Sequence, residues 1–125
     1  MKEILFVGTG GGIGAISRYC ISKIMSNVFT VNFPISTLTE NVIGAFFIGL
    51  IFQLSISTNS ISPNLKIFLT TGLLGGLTTF STFSYETVTL ISEGKYLLGL
   101  INILLNVGLS LVGVALSMFI CKAVV

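Results

Sequence analysis

Apolar residues fall along this chain in four long blocks, approximately Ile4–Met25, Ile35–Ser57, Lys66–Ser92 and Tyr96–Cys121. Short polar stretches separate them: SNVFTVNFP, TNSISPNL and EGK. A helix needs roughly 20 largely apolar residues to cross the hydrocarbon core of a bilayer, and each block is long enough. The alternating signature of barrel strands is absent. Helices satisfy every backbone N–H and C=O within the segment, as lipid demands. The pattern therefore predicts an all-α membrane protein, with residues 1–125 forming a single four-helix transmembrane domain.

Composition agrees. The 125 residues are 53% hydrophobic and only 8% charged, against about 25% charged in soluble domains. The opening MKEILFV has the look of a signal peptide, but its apolar block continues for a full span and carries Arg18 and Lys23 at the far end, so we expect it to be retained. Cys20 and Cys121 are expected near opposite membrane faces, as small apolar residues rather than a disulfide framework. The run GTGGGIG at Gly8–Gly14 fails the spacing of a nucleotide-binding loop and lacks a strand-helix-strand setting. Its small-xxx-small pairs, Gly10–Gly14 and Gly11–Ala15, predict close helix packing.

Charge placement is unusual. If the four blocks cross in turn, Lys2, Lys66 and Lys122 lie on one side, and Arg18, Lys23 and Lys95 on the other. Orientation normally follows an excess of Lys and Arg on the cytoplasmic side, and here there is none. The balance predicts dual topology, with each working unit pairing two oppositely inserted copies. Four helices are also too few to enclose a wide path alone, which again points to an oligomer.

The third block contains GLLGGLTTFSTFSYE, Gly72–Glu86. Gly72, Gly75 and Gly76 weaken a helix, at about 1 kcal/mol each relative to alanine, and predict a break near mid-membrane. Such a break is tolerated only where it is buried in protein or lines a wet cavity. Beyond it, Phe80 and Phe83 share one helical face, Ser81 and Ser84 the next, and Thr79, Thr82 and Glu86 a third. Basic residues are missing from the middle of every block, which argues against a large anion as cargo. Hydroxyls and amides can donate hydrogen bonds, and a phenyl ring is positive at its edge. With Asn41, Asn102, Asn106 and Ser110, this lining suits a small, strongly hydrated anion.

The stretch GLLGGLTTFSTFSYE resembles the signature of the Fluc fluoride channels, also called the CrcB family. GGGIGAISRY at Gly10–Tyr19 resembles that family's first-helix motif, and TLTENVIGAFFIG at Thr37–Gly49 its second-helix motif. The resemblance implies a channel, not an enzyme, in the bacterial inner membrane, through which fluoride passively leaves the cytoplasm to give fluoride resistance. It implies an antiparallel homodimer in the lipid bilayer with two narrow pores, and no nucleic-acid partner. Asn41 is implied as a pore residue, Phe80 and Phe83 as rings whose edges face the ion, and Ser81, Thr82, Ser84 and Ser110 as a polar track. Arg18 is implied near a vestibule. The backbone carbonyls of Gly75 and Thr78, from both subunits, are implied to hold a structural sodium ion (Na+) on the dimer axis, in keeping with the preference of hard cations for oxygen.

Glu40 departs from the family pattern, which usually has an apolar residue before the asparagine. A carboxylate inside a membrane helix is a functional candidate by default. It also sustains an alternative: a small multidrug-type proton-coupled exporter, which shares four helices and dual topology and requires an embedded carboxylate.

Overall fold

Polar connections and prolines fix the ends of four membrane-length helices in the computed structural model, which describes Met1 to Val125 throughout. The first is α1, Lys2–Val28, and the second α2, Ile35–Ser57, entered from Pro34. The third span covers Pro63–Ser92. It begins with α3, Pro63–Ile67, widens into a π-type segment, Phe68–Leu74, and ends its first half with the short α4, Gly75–Leu77. Its second half is α5, Phe80–Ser92. The last span is α6, Tyr96–Val124. All four spans are long and apolar enough to cross a membrane.

Local chemistry explains the boundaries. The third span starts at Pro63, earlier than the apolar block, because Ser62 Oγ accepts the Leu65 N–H at 3.3 Å. Proline fits the first turn, where its missing N–H is not needed. The tight link from α5 to α6 turns on Gly94, whose φ of 76° is cheap only without a Cβ. There Lys95 N–H returns to the Leu90 carbonyl at 2.9 Å. α1 continues past Met25 to Val28, which places Arg18 well inside the helix rather than at its end.

The third span breaks at Thr78 and Thr79, whose ψ values are 153° and 116°. This is two residues beyond the last of the three glycines expected to cause the break. Gly72 and Gly76 instead stay helical and face α1. A Cβ on Gly72 would lie 3.0 Å from Gly10 Cα, and one on Gly76 2.5 Å from the Gly11 carbonyl. Gly14 is equally crowded by the Leu73 carbonyl. The small-xxx-small pairs of α1 thus meet those of the third span backbone to backbone. In lipid, helix association depends on this kind of close packing.

α2 packs along α6, with Gly49 set against Ser117 and Val114. The distribution of side chains reverses that of a soluble protein. Large apolar groups such as Ile16, Leu111 and Phe119 point outward, whereas Glu40, Asn102, Asn106, Thr79 and Thr87 are buried. Cys20 is exposed and Cys121 buried, and both are free thiols.

The glycine seam predicts a sharp positional contrast. Gly76→Val should destabilise the protein by about 1–3 kcal/mol through overpacking, whereas Gly8→Ala and Gly12→Ala, which meet nothing within 4 Å, should match or exceed the wild type. Thermal unfolding in detergent, followed by helical circular dichroism, checks this.

Candidate functional site

A helix that stops inside a bilayer must find partners for the backbone groups it exposes. At the break, α2 supplies them. Asn41 Oδ1 accepts the Thr79 N–H at 2.8 Å, and Asn41 Nδ2 donates to the Thr79 carbonyl at 3.2 Å. One side-chain amide thus pairs with both backbone polar groups of a single residue, as a neighbouring peptide would in a sheet. Because Thr79 N–H turns to Asn41, it does not make the helical bond to the Gly75 carbonyl. Thr79 Oγ1 then accepts the Thr82 N–H at 3.2 Å and caps α5, a role hydroxyl residues fill well.

The amide of Asn41 is tied into a row of polar groups between α2, α6 and α5. Asn41 Nδ2 also donates to Asn106 Oδ1 at 2.9 Å. Asn106 Nδ2 donates to Asn102 Oδ1 at 2.9 Å, and Asn102 Nδ2 to Thr87 Oγ1 at 3.0 Å. Thr87 Oγ1 ends the row on the Phe83 carbonyl at 2.8 Å. Asn102 is fully buried and Asn106 nearly so. An unpaired amide there would carry its full desolvation cost.

Thr79 lies on the walls of two cavities. The first is a largely apolar groove of about 340 Å³ along α2, the break and α6, and its walls include Asn41, Gly75, Thr78, Thr79, Phe80, Phe83, Asn106 and Ser110. No charged residue lines it. The Phe80 and Phe83 rings stand 5.5 Å apart with planes tilted by 57°. Phe83 is 8% exposed, but Phe80 is 77% exposed, so one ring is seated and the other projects from the protomer.

The second cavity is polar, about 750 Å³ in volume. It extends between α1, α2 and α5, from Lys23, Ser26 and Ser36 to Thr79 and Thr82. Arg18, Glu40 and Glu86 lie on its wall. Ser22 Oγ donates to Glu40 Oε1 at 2.7 Å, and Thr37 Oγ1 to Glu86 Oε1 at 2.7 Å. Glu86 Oε2 is buried without a partner. The molecule's one ion pair, Lys95 with Glu93 at 2.6 Å, lies elsewhere.

The residues singled out in sequence therefore divide. Asn41, Phe80, Phe83, Ser110, Gly75 and Thr78 come together on the groove, and Arg18 and Thr82 on the polar cavity. Ser81 and Ser84 line neither cavity. Ser84 Oγ donates to the Phe80 carbonyl at 2.8 Å, and Ser81 Oγ lies 3.4 Å from Thr79 Oγ1. Thr79, Thr82 and Glu86, grouped on one helical face by their spacing, share the polar cavity. Thr37 and Thr87 were missed as partners. Thr37 and Glu40 stand three residues apart on α2, but nothing in the sequence located α5 opposite them.

Comparison with known proteins follows the same residues. The family model described as "CrcB-like protein, Camphor Resistance (CrcB)" matches residues 5–118. The chain is 52% identical to the fluoride-specific ion channel FluC of Clostridium novyi over 120 residues, covering 96% of this chain and 94% of that protein. It is 48% identical to the protein of the same name from Ruminiclostridium cellulolyticum over 124 residues, 99% and 95% of the two chains. A relative of that name from a Shewanella species is 50% identical over 111 residues, 89% of each chain. With its four spans, its broken third helix and a family match across nearly its whole length, the chain belongs to the CrcB family.

Proposed function

We propose that this protein is a fluoride-selective channel through which fluoride passively leaves the cytoplasm. The observation that carries the reading is at Thr79, which lines both a polar cavity and an uncharged groove edged by two phenyl rings. The names of its relatives point to the same ion. They give no support to the proton-coupled exporter that Glu40 kept open.

The groove suits a small anion for physical reasons. Ring edges and hydroxyls donate weakly and at close range, which favours a compact ion that can approach them. Both Asn41 Nδ2 protons are engaged, by Thr79 O and Asn106 Oδ1. Asn41 thus shapes the path chiefly by holding the break. Ser110 and the rings remain as lining. Outside an acid-stressed cell, fluoride is partly neutral HF, which crosses lipid and dissociates inside. An interior-negative potential then drives the anion out by about 2.3 kcal/mol per 100 mV. Passive export of this kind gives fluoride resistance without an energy-coupling step.

The working unit of this reading is an antiparallel homodimer in a bacterial inner membrane. The balanced charges of the two membrane sides support it, as does Phe80, which stands largely uncovered beside an open groove. A second copy would close that face. The carbonyl of Gly75, released from its helical donor, and that of Thr78 at the extended break fit a hard cation. Two from each copy would hold a structural sodium ion on the axis, fastening the breaks together without joining transport.

Liposomes loaded with fluoride should release it when they contain the purified protein and should retain chloride; fluoride retained would overturn the reading. Phe80→Ile and Phe83→Ile should each lower fluoride efflux at least tenfold while the dimer persists on size-exclusion chromatography; unchanged efflux would remove the rings from the path. Cysteines placed at either terminus of a Cys20→Ser background should be labelled by an impermeant thiol reagent from both membrane sides, and labelling from one side alone would end the antiparallel assembly.

A further inference from the structure

The polar cavity holds a side chain that neither the break nor the groove requires. Glu40 is 1% exposed, yet it lies on the wall of a 750 Å³ cavity that leads to Thr79. Its neighbour Asn41 holds the break; Glu40 does not touch it. Its hydrogen bond is to Ser22 on α1.

The charged groups around the cavity are few. α1 brings Arg18 and Lys23, together with Tyr19; α2 brings Glu40; α5 brings Glu86. Two positive and two negative side chains therefore face one space, and neither carboxylate is joined to either cation within ion-pair distance. Without Glu40, the balance at the mouth would be positive. An anion approaching Thr79 through this cavity meets a field that Glu40 offsets.

We propose that Glu40 is a throughput-setting residue: its carboxylate opposes the attraction of Arg18 and Lys23 and so limits how much anion the cavity concentrates ahead of the break. The proposal rests on the fluoride-channel reading and adds to it a side chain that restrains conduction. Fixed charges lining a low-dielectric cavity control local ion concentration in this way, and the effect fades as salt screens it.

Single-channel fluoride currents in planar bilayers test this, at subsaturating fluoride and with sodium gluconate varied to set ionic strength. Glu40→Gln keeps an oxygen to accept from Ser22 and removes the charge. It should raise the low-salt current about fivefold, the scale of one unit charge at short range in a partly wet site. Glu40→Lys should raise it further. Both ratios should shrink as salt rises, because mobile ions entering the cavity screen Arg18 and Lys23 as well as Glu40. Ser22→Ala, which deletes the hydrogen bond and keeps the charge, should preserve the wild-type salt dependence. Equal currents for wild type and Glu40→Gln at low salt would overturn the proposal, and so would an equal rise in Ser22→Ala, the mark of a purely structural partner for Ser22. If Glu40→Lys does not assemble, the Gln and Ala variants decide. Wild-type protein that passes no fluoride would instead overturn the channel reading itself.

Discussion

A single side-chain amide holds this architecture open. Breaking a helix inside a bilayer frees backbone groups that lipid cannot satisfy, at a cost of several kcal/mol for each. Asn41 meets this by pairing with both the N–H and the C=O of Thr79. Everything else near the break follows. Thr79 is freed to cap α5, the Gly75 carbonyl loses its helical donor, and the two phenyl rings are carried at the start of a new helix. An apolar residue at position 41 would leave the third span the choice between a continuous helix and an unpaired break.

The packing of the two halves of the third span reflects different physics. The first half lies against α1 through glycine backbones, with dispersion and close approach in place of side chains. The second half lies against α6 and is tied to it by one hydrogen bond, from Asn102 Nδ2 to Thr87 Oγ1. A seam of bare backbone and a seam of amides both work where lipid offers no hydrophobic drive for helices to associate. The first fixes distance and the second fixes register. Thr79, which lines both cavities, lies where one gives way to the other.

Much of this was legible in the residues. Four spans followed from block length, and α2 has the range its apolar block gives, Ile35–Ser57. The pairing of glycines in α1 with close packing was readable from small-residue spacing. The break was readable as an event but not in position. Glycine propensity pointed to Gly72–Gly76, whereas the break lies where a partner exists, and that partner is on another helix. The π-type segment at Phe68–Leu74 carries no recognisable local mark. The hydroxyl faces of α5 were correctly separated by period, but which face met the cavity depended on how α5 sits against α1 and α2. Glu40 stood out because a carboxylate in a greasy helix always does; its hydroxyl partner, distant in sequence, did not.

The row from Asn41 to Phe83 has one further property. Each amide in it gives its hydrogen to the next oxygen, so every dipole points the same way. An isolated asparagine can rotate and exchange its oxygen for its nitrogen at little cost. Here the first oxygen faces a peptide N–H, which can only give. That one backbone proton removes the ambiguity at Asn41, and each amide then removes it for its successor. The arrow of polarisation through the heart of the bundle is therefore dictated by main chain at both ends, by the Thr79 N–H at one and the Phe83 carbonyl at the other.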